Sequence, residues 1–169
     1  MPLYEVEYSI PLTQAHRNIL ASKITKLHHE TYGIPSFFVS VKFTDGSKNE
    51  NYSGGELRTC NRIFATVRTA GSRTAADFGQ LCKELEKLWY EVVREEEYGK
   101  EGGALSGVFV LRSMEASVEE GFVLPQPGGD EDWLKGNLPK FKVLAAAGHR
   151  GFQSVVEELT VRSRDDLLS

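Results

Sequence analysis

The sequence carries only two cysteines, Cys60 and Cys82, and their spacing is of neither the metal-binding nor the redox kind. No disulfide framework is expected, and two reduced thiols fit a cytoplasmic protein. An excess of positive charge is also lacking. The net charge is −4, so no basic face is expected on which a nucleic acid would be neutralised. Nor is there a basic amphipathic stretch suited to a membrane surface. Apolar runs such as Phe37-Phe38-Val39 and Val143–Ala147 fall far short of the roughly 20 residues needed to cross a bilayer. The chain opens Met-Pro-Leu-Tyr-Glu without a basic segment followed by an apolar one, and no secretory signal is expected. What remains is a chain of 169 residues, 40% hydrophobic and 26% charged, long enough for one domain with a real core.

Its patterning repeats once. Leu3 to Ser9 reads as a strand, and Leu12-Thr13 opens a helix to about Thr31, with Thr13 as its cap. Ile19, Leu20, Ile24 and Leu27 form the apolar stripe of that helix, and Phe37 to Phe43 follows as a strand. Asp45 to Glu56 is a loop or hairpin rich in Asn, Ser and Gly. The same order then recurs. Arg62 to Thr69 alternates as a strand, with Ile63, Ala65 and Val67 on one face. Thr74 and Asp77 cap a helix carrying Phe78, Leu81, Leu85, Leu88 and Val92 at helical spacing. After a charged break at Glu95–Gly103, Leu105 to Leu111 makes the last strand of the repeat.

The fold class is thus α+β. Two fused β-α-β units, about 2–44 and 62–112, form one four-stranded sheet with two helices on one face. From Ser113 the chain changes character. Val118 to Gly129 is turn-rich, with Pro125 and Pro127 excluding an internal strand. Lys140 to Val161 is helical with breaks expected at Gly148 and Gly151, and Arg162 to Ser169 reads as a frayed polar tail.

Several residues have chemistry to offer. Proline in the second position permits removal of Met1, which leaves Pro2 as a secondary amine. An α-amino group has an ordinary pKa of about 7.7–8.0, so Pro2 can act as a neutral base in an apolar site or as an acid beside an anion. Arg68 ends a strand and Arg73 precedes a helix start, with Gly71 between them. Strand end, glycine turn and helix start make a natural anion site, to which two guanidiniums add bidentate binding of a carboxylate. The alternative is that both arginines are simply solvated. His28 lies on the edge of the apolar stripe, as a structural or a functional side chain, whereas His29 turns toward Lys26 and solvent. Glu119 and Glu120 lead into Phe122-Val123-Leu124, where a carboxylate is either partly buried and poised as a base or solvated in a turn. His16 and His149 complete no metal site.

Taken together, these residues resemble the tautomerase superfamily, and within it the cis-3-chloroacrylic acid dehalogenase-like group. The resemblance runs from Pro2 to about Leu138. It rests on the Met-Pro start, Ile24-Thr25-Lys26-Leu27-His28, Ile63-Phe64 with Arg68 and Arg73, and Val118-Glu119-Glu120-Gly121 followed by Phe122 to Gly128 and Trp133. It implies a tautomerase-like domain over 1–138, a C-terminal helical extension and tail over 139–169, and a homotrimer needing no cofactor. It also implies roles: Pro2 as the catalytic amine, Arg68 and Arg73 as holders of a small carboxylate substrate, His28 as a substrate- or water-positioning residue, and Glu119 as the water-activating carboxylate. Two departures stand out. The dehalogenase's tyrosine on the last core strand has no counterpart in Val108-Phe109-Val110-Leu111, with Tyr98 too early to replace it, and one extra residue separates the arginines. Tautomerisation or hydration of a small unsaturated or 2-keto carboxylate is therefore expected ahead of dehalogenation. Decarboxylation of a 3-oxo acid and noncatalytic ligand binding are the alternatives.

Overall fold

The structure, a computed structural model, describes residues 2–68, 73–112, 116–126 and 128–168. Strand β1 (Leu3–Tyr8) turns Tyr4, Val6 and Tyr8 inward by simple alternation. Thr13 caps helix α1 (Gln14–Tyr32), its hydroxyl accepting from the His16 amide at 3.2 Å. The helix stops at Gly33, whose φ of 67° is the left-handed conformation that glycine adopts without strain. Its buried stripe is Leu20, Ile24 and His28, while Ile19 is exposed. The second strand starts later than the sequence suggests. Pro35 leads into a single 3-10 turn, Ser36–Phe38, which buries Phe38, and β2 spans Ser40–Asp45. The polar loop that follows is a hairpin of β3 (Asn51–Ser53) and β4 (Glu56–Arg58).

The second unit repeats the first. It comprises β5 (Arg62–Val67), α2 (Ala75–Val92), a single turn α3 (Glu95–Tyr98) and β6 (Gly107–Arg112). Thr74 and Asp77 form a reciprocal capping box at the start of α2. The sheet order is β2-β1-β5-β6, with both outer pairs parallel and the central β1–β5 pair antiparallel. Leu20 and Ile24 of α1 share one core with Leu81, Leu85 and Trp89 of α2 and with the inward side chains of β1 and β5. Both helices therefore cover the same sheet face. The Trp89 indole N–H is satisfied there by the Gly103 carbonyl at 2.8 Å. Truncating a fully enclosed residue such as Leu85 would cost about 2–5 kcal/mol. On the other face Phe64 and Phe109 stack at 5.2 Å, and Phe109 and Leu111 remain exposed.

The remainder builds a second, smaller core. Strands β7 (Val118–Glu119) and β8 (Phe122–Val123) form a tight hairpin, followed by α4 (Asp130–Ala146) and α5 (Arg150–Leu168). Phe141, Phe152, Leu134 and Val155 from the two helices enclose Ile34 and Phe38, with Phe122 of the hairpin packed against them. Helix α4 runs through residue 138, where the sequence reading puts the domain boundary. Gly148 supports the α4–α5 corner with φ of 93°, but Gly151 lies inside α5. It admits the ring of Phe37, since a Cβ at Gly151 would lie 2.1 Å from Phe37 Cε2. The expected frayed tail is also helical, because α5 continues to Leu168. It is tied down where Arg162 donates to the Gly33 carbonyl at 3.1 Å.

Candidate active site

Pro2 is buried at the head of β1, its carbonyl accepting from the Ser40 amide at 3.1 Å. The β1–β5 register pairs Leu3 with Thr66, so the next step sets Pro2 opposite Val67, with Arg68 immediately beyond. The opening of the chain and the end of β5 therefore meet where the two central strands end, along the strand-end edge of the sheet. Met1 and the turn containing Gly71 lie outside the described residues.

Helix α1 brings His28 to the same edge. Its side chain is buried in the stripe, and Nδ1 lies 2.7 Å from the Tyr4 hydroxyl. The Tyr32 ring packs at 4.6 Å from the imidazole. Burial, reinforced by the positive charges of Arg73 and the amino terminus, pushes the His28 pKa down to about 3. The ring is thus neutral across the physiological range. Its neighbour His29 is not simply solvent-directed. It bonds the Ile34 carbonyl at 2.8 Å and lies 3.6 Å from Glu158 of α5.

The two arginines are engaged differently. Arg73 lays its guanidinium 4.0 Å from the centroid of Tyr32 and donates to the Arg68 carbonyl at 3.2 Å. The guanidinium of Arg68 donates to the Pro125 carbonyl and forms an ion pair with Asp130, at the first turn of α4. Tyr32 and Arg73 also line a groove of about 450 Å³ between α1 and α2.

Glu119 and Glu120 diverge at the hairpin turn. Glu120, at φ of 50°, and Gly121, at 82°, supply the left-handed pair that a two-residue hairpin turn requires. Glu120 points outward, 3.6 Å from His149. Glu119 is partly buried. Its Oε2 is enclosed and has no hydrogen-bond partner among the described residues. Burial raises its pKa, while the amino terminus and Arg68 act in the opposite direction. The hairpin is held by the C-terminal helices: Trp133 Nε1 donates to the Val123 carbonyl at 2.8 Å, and Phe122 packs at 5.0 Å from Phe141.

Three residues at this edge escape a reading of the sequence: Tyr4, Tyr32 and Asp130. Two of them had a signal. Tyr4 shares the face of Pro2 by alternation, and Tyr32 lies one helical turn beyond His28. Asp130 had none, being one of three acidic residues in the first turn of α4. Tyr98 is not at this edge. It bonds His16 at 2.8 Å, twelve residues before His28 and so about 18 Å away along α1. Among the described residues no group of three or more His, Cys, Asp or Glu could hold a metal ion, and no helix is long and apolar enough to cross a membrane.

A family model described as "Putative oxalocrotonate tautomerase enzyme" matches residues 1–138. No curated protein sequence matches the chain. Among solved structures, N1, a member of the cis-3-chloroacrylic acid dehalogenase family, superposes with a TM-score of 0.61 at 21% identity, covering 89% of this chain and 98% of its own. Native RhCC from Rhodococcus jostii RHA1 gives 0.58 at 19% identity, over 80% of this chain and 96% of its own. The F6 fused 4-OT wild-type asymmetric trimer gives 0.50 at 17% identity, over 66% and 85%. At these identities the likeness is one of fold.

Proposed function

The chain belongs to the tautomerase family whose model spans residues 1–138, and we propose that it is an enzyme that moves protons on small unsaturated or 2-keto carboxylates with the amine of Pro2, set free by removal of Met1. The observation that carries this reading is the meeting of the buried Pro2, neutral His28, Arg68 and Arg73 at one edge of the sheet. Arg73 and Arg68 bind the substrate carboxylate, for which Arg68 exchanges its tie to Asp130. In a 2-hydroxydienoate the neutral Pro2 nitrogen takes the hydroxyl proton. The O–H electron pair becomes the carbonyl π bond, and the displaced C=C pair accepts the proton back at carbon. Both transfers use the same amine, whose ordinary pKa near neutrality suits both roles.

A second reaction is favoured by one feature, the enclosed and unpartnered Oε2 of Glu119. Glu119 takes a proton from water, the hydroxide adds to the β-carbon of an activated double bond, and protonated Pro2 delivers its proton to the α-carbon. Neither reaction requires a cofactor. The open sheet face with Phe64, Phe109 and Leu111 supports self-association, and the assembly proposed is a homotrimer. A stable monomer in sedimentation at micromolar concentration would count against it. For the reaction itself, ketonisation of 2-hydroxydienoates by the Met1-free protein, lost in Pro2→Ala, is the expected result. Equal rates in the two proteins would contradict it.

A further inference from the structure

The phenol of Tyr4 is completely buried and has one hydrogen-bond partner among the described residues, Nδ1 of His28 at 2.7 Å. A neutral imidazole carries its proton on one nitrogen and offers a lone pair on the other. If Nδ1 held the proton, it would donate to the phenol oxygen, and the buried Tyr4 proton would have no acceptor. If Nδ1 is the acceptor, both groups are satisfied and the ring proton lies on Nε2. From this geometry we infer that Tyr4 is a positioning residue, which donates to Nδ1 and fixes His28 as a neutral hydrogen-bond donor through Nε2 toward an oxygen of the substrate.

The inference deepens the proposed reaction and rests on that reading of the site. With Nδ1 occupied, Nε2 is the only ring nitrogen left for a ligand, and in this tautomer it can donate but not accept. His28 is then neither the base that removes the substrate proton nor an imidazolium. The groups that face or act on the ring agree with this. They are Tyr4 from β1, Tyr32 and His29 from α1, Arg73 ahead of α2, and the amino terminus. None of them is a carboxylate that would stabilise a charged ring, and burial opposes that charge as well. A neutral donor is suited to an enolate or carbonyl oxygen whose charge grows during the reaction. Tyr4 lies two residues after Pro2, which leads directly into β1, so the strand that the amine heads also sets the tautomer of its partner.

Long-range ¹H–¹⁵N correlation spectra of the full-length protein with ¹⁵N-labelled histidine read the tautomer without turnover. The expected pattern for His28 is a protonated Nε2 and an unprotonated Nδ1, constant between pH 5 and 8. In Tyr4→Phe the pattern should move toward a mixture, and kcat should fall by about tenfold, the loss of one well-placed hydrogen bond. Among His28 variants, Gln places an amide N–H near the position of Nε2 and Asn near that of Nδ1. His28→Gln should therefore keep more activity than His28→Asn. A proton on Nδ1, an imidazolium at pH 7, or an unchanged tautomer in a folded Tyr4→Phe would each overturn the inference. Absence of any activity beside the expected spectrum would instead overturn the proposed reaction and leave the tautomer assignment standing.

Discussion

The guanidinium of Arg73 lies 4.0 Å from the centroid of the Tyr32 ring. This contact holds a long, flexible cation in one place before any substrate arrives, at a position where it also reaches the Arg68 carbonyl. A contact of this kind is worth about 0.5–2 kcal/mol, depending on how dry it is. Tyr32→Leu should therefore raise KM for a carboxylate substrate by roughly 2- to 30-fold and change kcat less. A KM equal to that of the wild type would show that Arg73 is positioned by something else.

The arginines themselves should behave as a coupled pair. Charge-assisted hydrogen bonds contribute on the order of 1.5–3 kcal/mol, so Arg73→Ala should lower kcat/KM by about ten- to a hundredfold. Arg68→Ala should do the same and also lower Tm by several degrees, because Asp130 loses its partner in a largely buried ion pair. The double variant should lose less than the product of the two, since both bind one ligand. Wild-type kinetics in the folded double variant would refute this.

Glu119 separates hydration from tautomerisation. Glu119→Gln should abolish water addition while leaving much of the ketonisation. Trp133→Phe removes the N–H that holds Val123 of the same hairpin, so it should weaken hydration more than ketonisation, by about tenfold. Turnover of 3-haloacrylates should be weak or absent, since Val108 to Leu111 provides no hydroxyl to orient the water. Good placement can lower a barrier by roughly 7–11 kcal/mol. Rapid dehalogenation, at 1–10³ s⁻¹, would reverse that ordering.

Buried His28 also makes a prediction about acid. Its folded pKa of about 3 lies below the ordinary 6.5. Above pH 6.5 the ring is neutral in both folded and unfolded chains. As the pH falls toward 3, the unfolded chain binds a proton that the folded one refuses, and stability is lost, by at most roughly 4–5 kcal/mol. His28→Gln should flatten the decline of Tm between pH 6.5 and 3.5. An identical decline in both proteins would show that His28 is not the group responsible.

The strand and helix order was legible because each element has a single buried face, and alternation in Arg62–Val67 or capping at Thr74–Asp77 is local information. The start of β2 is not legible in the sequence, because Phe37 and Phe38 look like strand residues but serve the second core under α4 and α5. That core is made by distant segments, and no local period announces it. For the same reason α5 extends past Arg162, whose partner is the Gly33 carbonyl. At the candidate site, Pro2, His28, the arginines and Glu119 were legible as residue types. Their ties to Tyr4, Tyr32 and Asp130 arise only when β1, α1, β5 and α4 are brought together.

Pro2 as the reacting amine is tested most directly by its covalent labelling with a 3-halopropiolate, followed by intact and peptide mass spectrometry. The expected result is a chain lacking Met1, one adduct per chain located on Pro2, and loss of activity in step with labelling. Full activity in a protein that retains Met1, or inactivation with the adduct elsewhere, would contradict it.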